Sequence, residues 1–214
     1  MIIALMAVVY VFLTTYDYNQ LKSRIAQMVK DATGRELSLA GKLDLAIGFS
    51  TALVVTDIAF ANAPWSSQPQ MIKIETLQAR VRLLSLLQRE VEVKNLGLTG
   101  VEVLLETDST GKGNWEFIAS GKSGKSAEGF TSENIDIDAI RIKNLRFAYH
   151  QGKTGSTTQY TLSSLVVARS DSEDELTLDL KADHNSRPIA LSGKIGRIRK
   201  LFTHQRFPLN LSGT

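Results

Sequence analysis

A short phrase of alternating apolar and charged residues, present twice, constrains this fold more than any other feature. Val91–Leu96 (VEVKNL) returns as Ile140–Leu145 (IRIKNL). Period-two alternation sends successive side chains to opposite faces of an extended chain, so each copy predicts a half-buried β-strand. Each copy runs on into a Gly/Lys turn, at Gly111-Lys112-Gly113 and at Gly152-Lys153. We interpret the copies as successive strands of one growing sheet, with a chance match as the alternative.

The composition indicates a folded chain and excludes several classes of protein. At 214 residues and 43% hydrophobic content, the chain can bury a core. Its 25 basic and 22 acidic residues leave a net charge of +3 and are interspersed, which argues against a nucleic-acid surface. The absence of cysteine excludes disulfides, cysteine-ligated zinc or iron–sulfur sites, and thiol catalysis.

The first segment, residues 1–16, has no charged residue and predicts a transmembrane anchor. Sixteen helical residues reach only about 24 Å, whereas a hydrocarbon core is roughly 30 Å thick. We therefore expect a truncated anchor whose true start lies upstream. No basic stretch precedes it and no small-residue cleavage site follows, so a signal peptide is disfavoured. The alternative is a buried core helix of a soluble domain.

Residues 17–34 change to helical period and predict an amphipathic helix that ends at Thr33-Gly34. Its apolar stripe is Leu21, Ile25, Met28, Val29 and Ala32.

Strand patterns fill the rest of the chain, and the Ala40-Gly41 step within the first of them predicts a tight bend or bulge. We expect a first β-sheet section over residues 35–118, a Gly/Ser/Lys-rich flexible loop over 119–132, and a second section over 133–214. The last run, Phe207–Thr214, still alternates, so we expect the sheet to continue beyond this chain. The sequence predicts a mainly β protein with an N-terminal helical part and a long antiparallel sheet.

No motif in the sequence indicates an enzyme, a metal site or a cofactor. His150, His184 and His204 are isolated, and metal sites need clustered ligands. Gly121-Lys122-Ser123 and Gly124-Lys125-Ser126 resemble a phosphate loop but lack the earlier glycine that this motif requires. We therefore predict no catalytic, cofactor-binding or metal-binding residues.

Two tryptophans stand beside turn residues, in Asn62-Ala63-Pro64-Trp65 and in Gly113-Asn114-Trp115. One interpretation is that both rings cap the ends of the sheet. The other is that they anchor the protein at a membrane interface or lipid entrance, where amphipathic rings are favoured.

Several phrases, in this order and spacing, resemble the amino-terminal region of AsmA family proteins. They are Tyr16–Asn19, Ala32–Leu37, Gly41–Leu45, Asp57–Trp65 and Gly111–Phe117. The resemblance implies an envelope protein of Gram-negative bacteria, held in the inner membrane by a single N-terminal pass with its bulk in the periplasm. It also implies similarity to bridge-like lipid transfer proteins, in which a long curled sheet forms an open apolar groove.

The resemblance further implies phospholipid transport between the inner and outer membranes and a role in outer-membrane biogenesis. The expected partners are phospholipid, the inner membrane and other envelope assembly proteins. The alternative is an assembly or interaction protein that affects outer-membrane protein insertion without carrying lipid. We predict that the groove is lined by apolar positions of the strands, namely Val91, Val93, Val101, Val103, Leu105, Ile140, Ile142, Leu176, Leu178, Leu180 and Leu191.

Overall fold

A computed structural model describes residues 19–46, 51–81, 93–117, 138–170, 175–184, 187–196 and 209–213. These residues form one short helix and a ten-stranded open sheet that does not close into a barrel. The elements are α1 (Asn19–Thr33), β1 (Leu37–Leu39), β2 (Leu43–Ala46), β3 (Thr51–Ala61), β4 (Gln70–Val81), β5 (Val93–Thr107), β6 (Ala139–Gln151), β7 (Ser156–Arg169), β8 (Glu175–His184), β9 (Arg187–Gly196) and β10 (Leu209–Gly213).

Helix α1 packs beside β1 through the face that carries Ile25 and Val29, which are half-buried. Met28, predicted on the same stripe, is 40% exposed. The predicted end at Thr33-Gly34 is confirmed: Gly34 has a left-handed φ of 72°, and its N–H donates to the Lys30 carbonyl at 2.7 Å. This conformation suits glycine because it has no Cβ, so the helix stops and the chain turns into β1.

The predicted membrane anchor, residues 1–16, lies outside the described residues. Among the helices of the described ranges, none has the length and apolar character needed to cross a membrane.

The strands follow the order β1-β3-β4-β5-β6-β7-β8-β9-β10, and β2 also pairs with β3. Every pair is antiparallel except β5–β6, which is parallel. The predicted antiparallel sheet is therefore wrong at this one junction. Local alternation cannot show this, because it is the same in parallel and antiparallel strands. The long connection between Thr107 and Ala139 returns the chain to the end at which β5 began, as a parallel pair requires.

The two sheet sections predicted on either side of the flexible loop are parts of this one sheet. The loop itself, residues 119–132, lies outside the described ranges.

The repeated phrases belong to neighbouring strands but are staggered. Leu96 pairs with Ile140, and Val101 pairs with Leu145. The second phrase therefore lies beside Leu96–Val101 and not beside its own copy.

Each of five consecutive strands, β3 to β7, contains one residue that has no partner in the ladder of paired residues. These five residues lie side by side across the sheet. The ladder pairs skip Asp57 and Glu75 between β3 and β4, Gly100 on β5, Asn144 on β6 and Ser163 on β7. Three of these have left-handed backbone, with φ of 53° at Asp57, 63° at Gly100 and 55° at Asn144. We call these five residues the bulge line. Each adds one position to its strand, so the strands stay in register with one another.

The bulge line continues into the break between β1 and β2. There the Ala40 N–H donates to the Asp57 carbonyl at 3.1 Å, and the Gly41 N–H donates to the Thr56 carbonyl at 3.2 Å. The predicted bend at Ala40-Gly41 is thus confirmed. A Cβ on Gly41 would lie 2.5 Å from the Thr56 carbonyl oxygen, so this close approach requires glycine.

Candidate functional site: the apolar sheet face

Cross-strand pairing gathers the apolar residues of β3 to β9 onto a single face. Strand β8 alternates without interruption, which puts Leu178, Leu180 and Ala182 on one face. Their partners on β7 are Val167, Leu165 and Leu162. The same face therefore continues across β7 on both sides of its extra residue, Ser163. We call it the apolar face.

Four rows of apolar side chains run across the strands on this face. Each row is a chain of directly paired residues, and direct partners share a face. The rows are Phe60-Ile72-Val103-Phe147-Tyr160; Ile58-Ile74-Val101-Leu145-Leu162-Ala182-Ile189; Val55-Leu77-Leu98-Ile142-Leu165-Leu180-Leu191; and Leu53-Ala79-Leu96-Ile140-Val167-Leu178.

The bulge line explains why these rows share a face. The row members of β5 are even-numbered at Leu96 and Leu98 and odd-numbered from Val101. The row members of β6 are even-numbered at Ile140 and Ile142 and odd-numbered from Leu145. Without Gly100 and Asn144, ordinary alternation would send the second half of each set to the opposite face.

The buried apolar cluster lies at one end of the apolar face, and beyond it Val101 on β5 and Ile195 on β9 are also buried. Leu43, Val55 and Ile58 form a buried cluster on β2 and β3, at the end where α1 packs. From β5 to β9 most of the large apolar side chains are only half-buried, and Ile189 is 43% exposed. In a two-layer domain such residues would be the core. No helix or second sheet packs over them within the described ranges.

The opposite face is polar and carries cross-strand ion pairs. Glu102 on β5 lies between Lys73 on β4, at 3.9 Å, and Arg146 on β6, which it contacts directly. Farther along, the Lys194 ammonium lies 3.0 Å from the Glu175 carboxylate. All these side chains are substantially exposed, so their pairing contributes little stability and marks a solvated face.

A cavity of about 460 Å³ opens on this polar face. It is lined by the Lys73, Glu102 and Arg146 group, by the 67–70 loop and by His150, whose Nδ1 lies 2.9 Å from the Thr157 hydroxyl. Its charged groups already pair with one another. In the part of the chain that is described, no cluster of side chains could hold a metal ion.

The structure places nine of the predicted groove residues on the apolar face. They are Val101, Val103, Leu105, Ile140, Ile142, Leu176, Leu178, Leu180 and Leu191. Val93 lies at the start of β5, and Val91 lies outside the described residues. Their role as groove lining remains a prediction.

The prediction missed other members of the same face. Leu96, Leu98, Leu145, Phe147 and Leu165 lie in the same rows as the predicted residues. A signal for them exists in the sequence: the change from even to odd apolar positions on each side of Gly100 and Asn144.

The two tryptophan phrases meet at one end of the sheet through buried polar side chains. Asn114 is fully buried, and its side-chain amide donates to Asn62 Oδ1 and to the Leu104 carbonyl, both at 2.9 Å. Its Oδ1 accepts the Glu106 N–H at 3.0 Å. Trp65 and Trp115 remain 41% and 39% exposed. The phrases thus build a joint between the β3–β4 loop and the segment after β5.

Glu106 completes this joint from the end of β5. Its carboxylate is 1% exposed and accepts hydrogen bonds from both the Ser66 and Ser67 hydroxyls, from the Ser67 N–H at 3.2 Å, and from Asn62 Nδ2 at 3.4 Å. A buried carboxylate is tolerated only with such a set of donors. The group therefore fixes the 62–69 loop against β5.

Beyond the joint, the segment Gly113–Phe117 returns to the apolar side of the sheet. The Trp115 ring lies 6.4 Å from that of Tyr149 on β6, and the Phe117 ring lies 5.8 Å from that of Phe60 on β3, edge to face. Both contacted rings belong to apolar-face positions. The segment therefore forms a rim along one end of the apolar face, from β6 to β3.

Comparisons with known proteins agree with this architecture at the level of the family. A search of curated proteins returns no match. The model of the AsmA family matches residues 1–212, nearly the whole chain. The chain therefore belongs to the AsmA family.

Proposed function

We propose that this chain is the lipid-carrying part of an envelope protein that moves phospholipid between the inner and outer membranes and so serves outer-membrane biogenesis. In this proposal the N-terminal segment anchors the protein in the inner membrane and the sheet lies in the periplasm. Acyl chains lie on the apolar face, and no chemical step is catalysed. Family membership is consistent with such an envelope role.

The observation that carries the proposal is the apolar face, over which no helix or second sheet packs among the residues that the structure describes. A phospholipid crossing water exposes its acyl chains at about 0.8 kcal/mol per CH₂, so a chain of about 16 carbons costs on the order of 10 kcal/mol. The half-buried rows from β5 to β9 could remove much of this exposure while the lipid in turn covers them. Sheet and lipid would each supply the apolar layer that the other lacks.

The direction of the rows supports carriage along the sheet. Strands are spaced about 4.8 Å apart, and half of a bilayer core is roughly 15 Å thick. One acyl chain laid along a row therefore spans about three strand spacings. Because rows such as Val101-Leu145-Leu162 pass from strand to strand without a polar member, a chain can shift along them without crossing charge.

The test is crosslinking from the two faces of one strand in intact cells. A photoreactive amino acid replaces Leu178, on the apolar face, or Asp179, its neighbour on the polar face. A second pair, Val103 and Glu102 on β5, repeats the comparison. We expect lipid adducts at Leu178 and Val103 in clear excess over their polar neighbours. Equal adduct yields on both faces would reject the proposal.

A charge placed in a row should block carriage. Leu165→Glu puts a carboxylate between Ile142 and Leu180 on the apolar face. Val166→Glu puts the same charge on the polar face, between Arg141 and Asp179, and is the matched control. We expect lipid adducts at Leu178 to fall in the first variant only. Equal loss in both variants would indicate a folding defect and not a blocked row.

A second candidate function rests on the sheet edge. Within the described residues β10 pairs with β9 alone, so its other edge presents free backbone groups that could pair with a partner strand. An assembly protein that recruits such a strand would give protein adducts from Asn210 or Ser212 and no lipid adducts from Leu178. The crosslinking experiment thus separates the two functions.

A further inference from the structure

The rim along the end of the apolar face combines aromatic rings with cations. The Arg35 guanidinium lies 5.0 Å from the centre of the Phe117 ring, on the rim segment. Burial lowers the pKa of Arg35 from its ordinary value, a sign that water is partly excluded around it. Within the described residues, its Nη1 contacts the Met71 sulfur, at 3.5 Å, and no carboxylate. The guanidinium is therefore partly desolvated, and no strong acceptor among these residues holds it.

Two lysines lie in the turns at the same end of the sheet. Lys112 is exposed in the turn after β5, and Lys153 is exposed in the turn between β6 and β7. The turns are adjacent: the Gly152 N–H donates to Thr107 Oγ1 at 3.1 Å, and Lys153 Nζ lies 3.7 Å from the place of a Cβ on Gly111. Across the described ranges, no carboxylate forms an ion pair with Lys112, Lys153 or Arg35.

The carboxylates of this end are occupied by local hydrogen bonds. Asp108 accepts the N–H groups of Thr110 and Lys112 at 2.8 and 2.9 Å. Glu116 accepts the Gly113 N–H at 2.8 Å. Their acceptor oxygens are thus partly used within the turns, whereas the donors of the three cations remain available for an anion.

We propose that the cations of this rim, Arg35 beside Phe117 and the neighbouring Lys112 and Lys153 in the turns, bind the phosphates of phospholipid headgroups while the acyl chains lie on the apolar face. The inference rests on the proposed function. It adds a polarity to the lipid: the headgroup faces the Trp115 and Phe117 end of the strands, and the acyl chains lie along the row nearest to that end, which contains Val103 and Phe147.

The chemistry of the rim fits a phosphate beside a hydrocarbon chain. A guanidinium offers several N–H donors to phosphate oxygens, and its hydrogen bonds to an anion are stronger than neutral ones. Tryptophan and tyrosine favour the boundary between hydrocarbon and water because their rings are apolar with one polar edge. Trp115 and Tyr149 lie at this boundary, next to the apolar rows.

The test compares two ligands that share one acyl chain. A lysophosphatidylglycerol probe below its micelle concentration carries the phosphate, and a monoacylglycerol lacks it. The rim variant R35Q/K112Q/K153Q of the full chain is compared with R80Q/K143Q/K181Q. This control removes the same charges from exposed positions of the polar face. Binding is measured by fluorescence, with free glycerol phosphate as competitor.

We expect the rim variant to bind the phospholipid probe about tenfold more weakly and the monoacylglycerol within about twofold of the parent, since only the phospholipid loses charge-assisted contacts. The control should change neither. Suppose that the wild type binds monoacylglycerol and that the rim variant shows no selective loss of affinity for the phospholipid probe. The rim inference then fails and the proposed function stands. If wild type binds neither probe, both fail. Competition by free glycerol phosphate at the affinity of the lipid would indicate a phosphate site unrelated to lipid.

Discussion

Gly100 on β5 and Asn144 on β6 lie at the same height of two parallel strands, and both have left-handed backbone. Their flanking pairs, Thr99–Lys143 and Val101–Leu145, are in register on either side. Glycine and asparagine are the residues that adopt this conformation most readily. Because the two strands carry the same extra residue at the same place, their apolar residues stay on one face along the full length of both.

Gly100→Ala should destabilise the protein strongly, although it adds only one methyl group. The new Cβ would need a φ of 63° and would lie 2.1 Å from the Glu75 carboxyl carbon. We expect the free energy of unfolding to fall by about 1–3 kcal/mol, measured by urea denaturation. Gly97→Ala on the same strand is the control. Its Cβ would meet nothing closer than 3.8 Å, so it should be neutral or stabilising by up to about 1 kcal/mol. Equal effects of the two substitutions would contradict the left-handed assignment.

Asn114 and Asn62 should behave as one unit. Asn114→Ala leaves the Leu104 carbonyl, the Glu106 N–H and Asn62 Oδ1 each short of a buried partner. We expect a loss of about 2–3 kcal/mol in the free energy of unfolding. The double variant with Asn62→Ala should lose less than the sum of the single variants, because the two amides share a hydrogen bond. Strict additivity in this cycle would argue against the joint.

Glu106→Gln should loosen the β3–β4 loop while leaving the sheet intact. The glutamine NH₂ would face donors from Ser66, Ser67 or Asn62, in place of the carboxylate that accepts from all of them. We expect faster hydrogen exchange at the Ser67 amide and a destabilisation of about 1–3 kcal/mol. The Val101 amide, on the ladder of β5, is the internal reference. Unchanged exchange at the Ser67 amide would show that Glu106 does not fix the 62–69 loop against β5.

Asp108 should tie the stability of its turn to pH. Its hydrogen bond with the Thr110 side chain, and then those with the Lys112 and Thr110 backbone, hold the pKa of its carboxyl below the ordinary value. A lowered folded pKa means that the stabilisation is present above the ordinary Asp pKa of about 3.9 and is lost as pH falls through the lowered value. NMR titration should locate this midpoint below the ordinary Asp value of about 3.9. Asp108→Asn should remove the pH dependence of the Thr110 amide shift.

Much of the β structure could be predicted from local pattern. The helix end at Thr33-Gly34 and the break at Ala40-Gly41 were predicted and are confirmed, because each depends on a glycine and its immediate neighbours. The parallel pairing of β5 with β6 was not predicted. It depends on where the connection after Thr107 returns the chain, and neighbouring residues do not encode that.

The candidate site was only partly predictable for the same reason. Val103 and Leu178 were predicted as groove residues from alternation together with the family resemblance, but their place on a common face follows from three intervening pairings and the bulge line. The joint between Asn62 and Asn114 also had no signal beyond two turn-like phrases. Hydrogen bonds between residues so far apart in the chain exist only once the strands are paired.

By itself the sequence determined which segments are strands, which of their residues are apolar, and that the chain belongs with AsmA proteins. These properties follow from side-chain chemistry at fixed spacing along an extended chain. Only the tertiary structure decided that the apolar residues on both sides of Gly100 and Asn144 share one face, and that no second layer among the described residues packs on this face from β5 to β9. Shared faces arise from register between strands, which hydrogen bonding across the whole sheet fixes and no single strand contains.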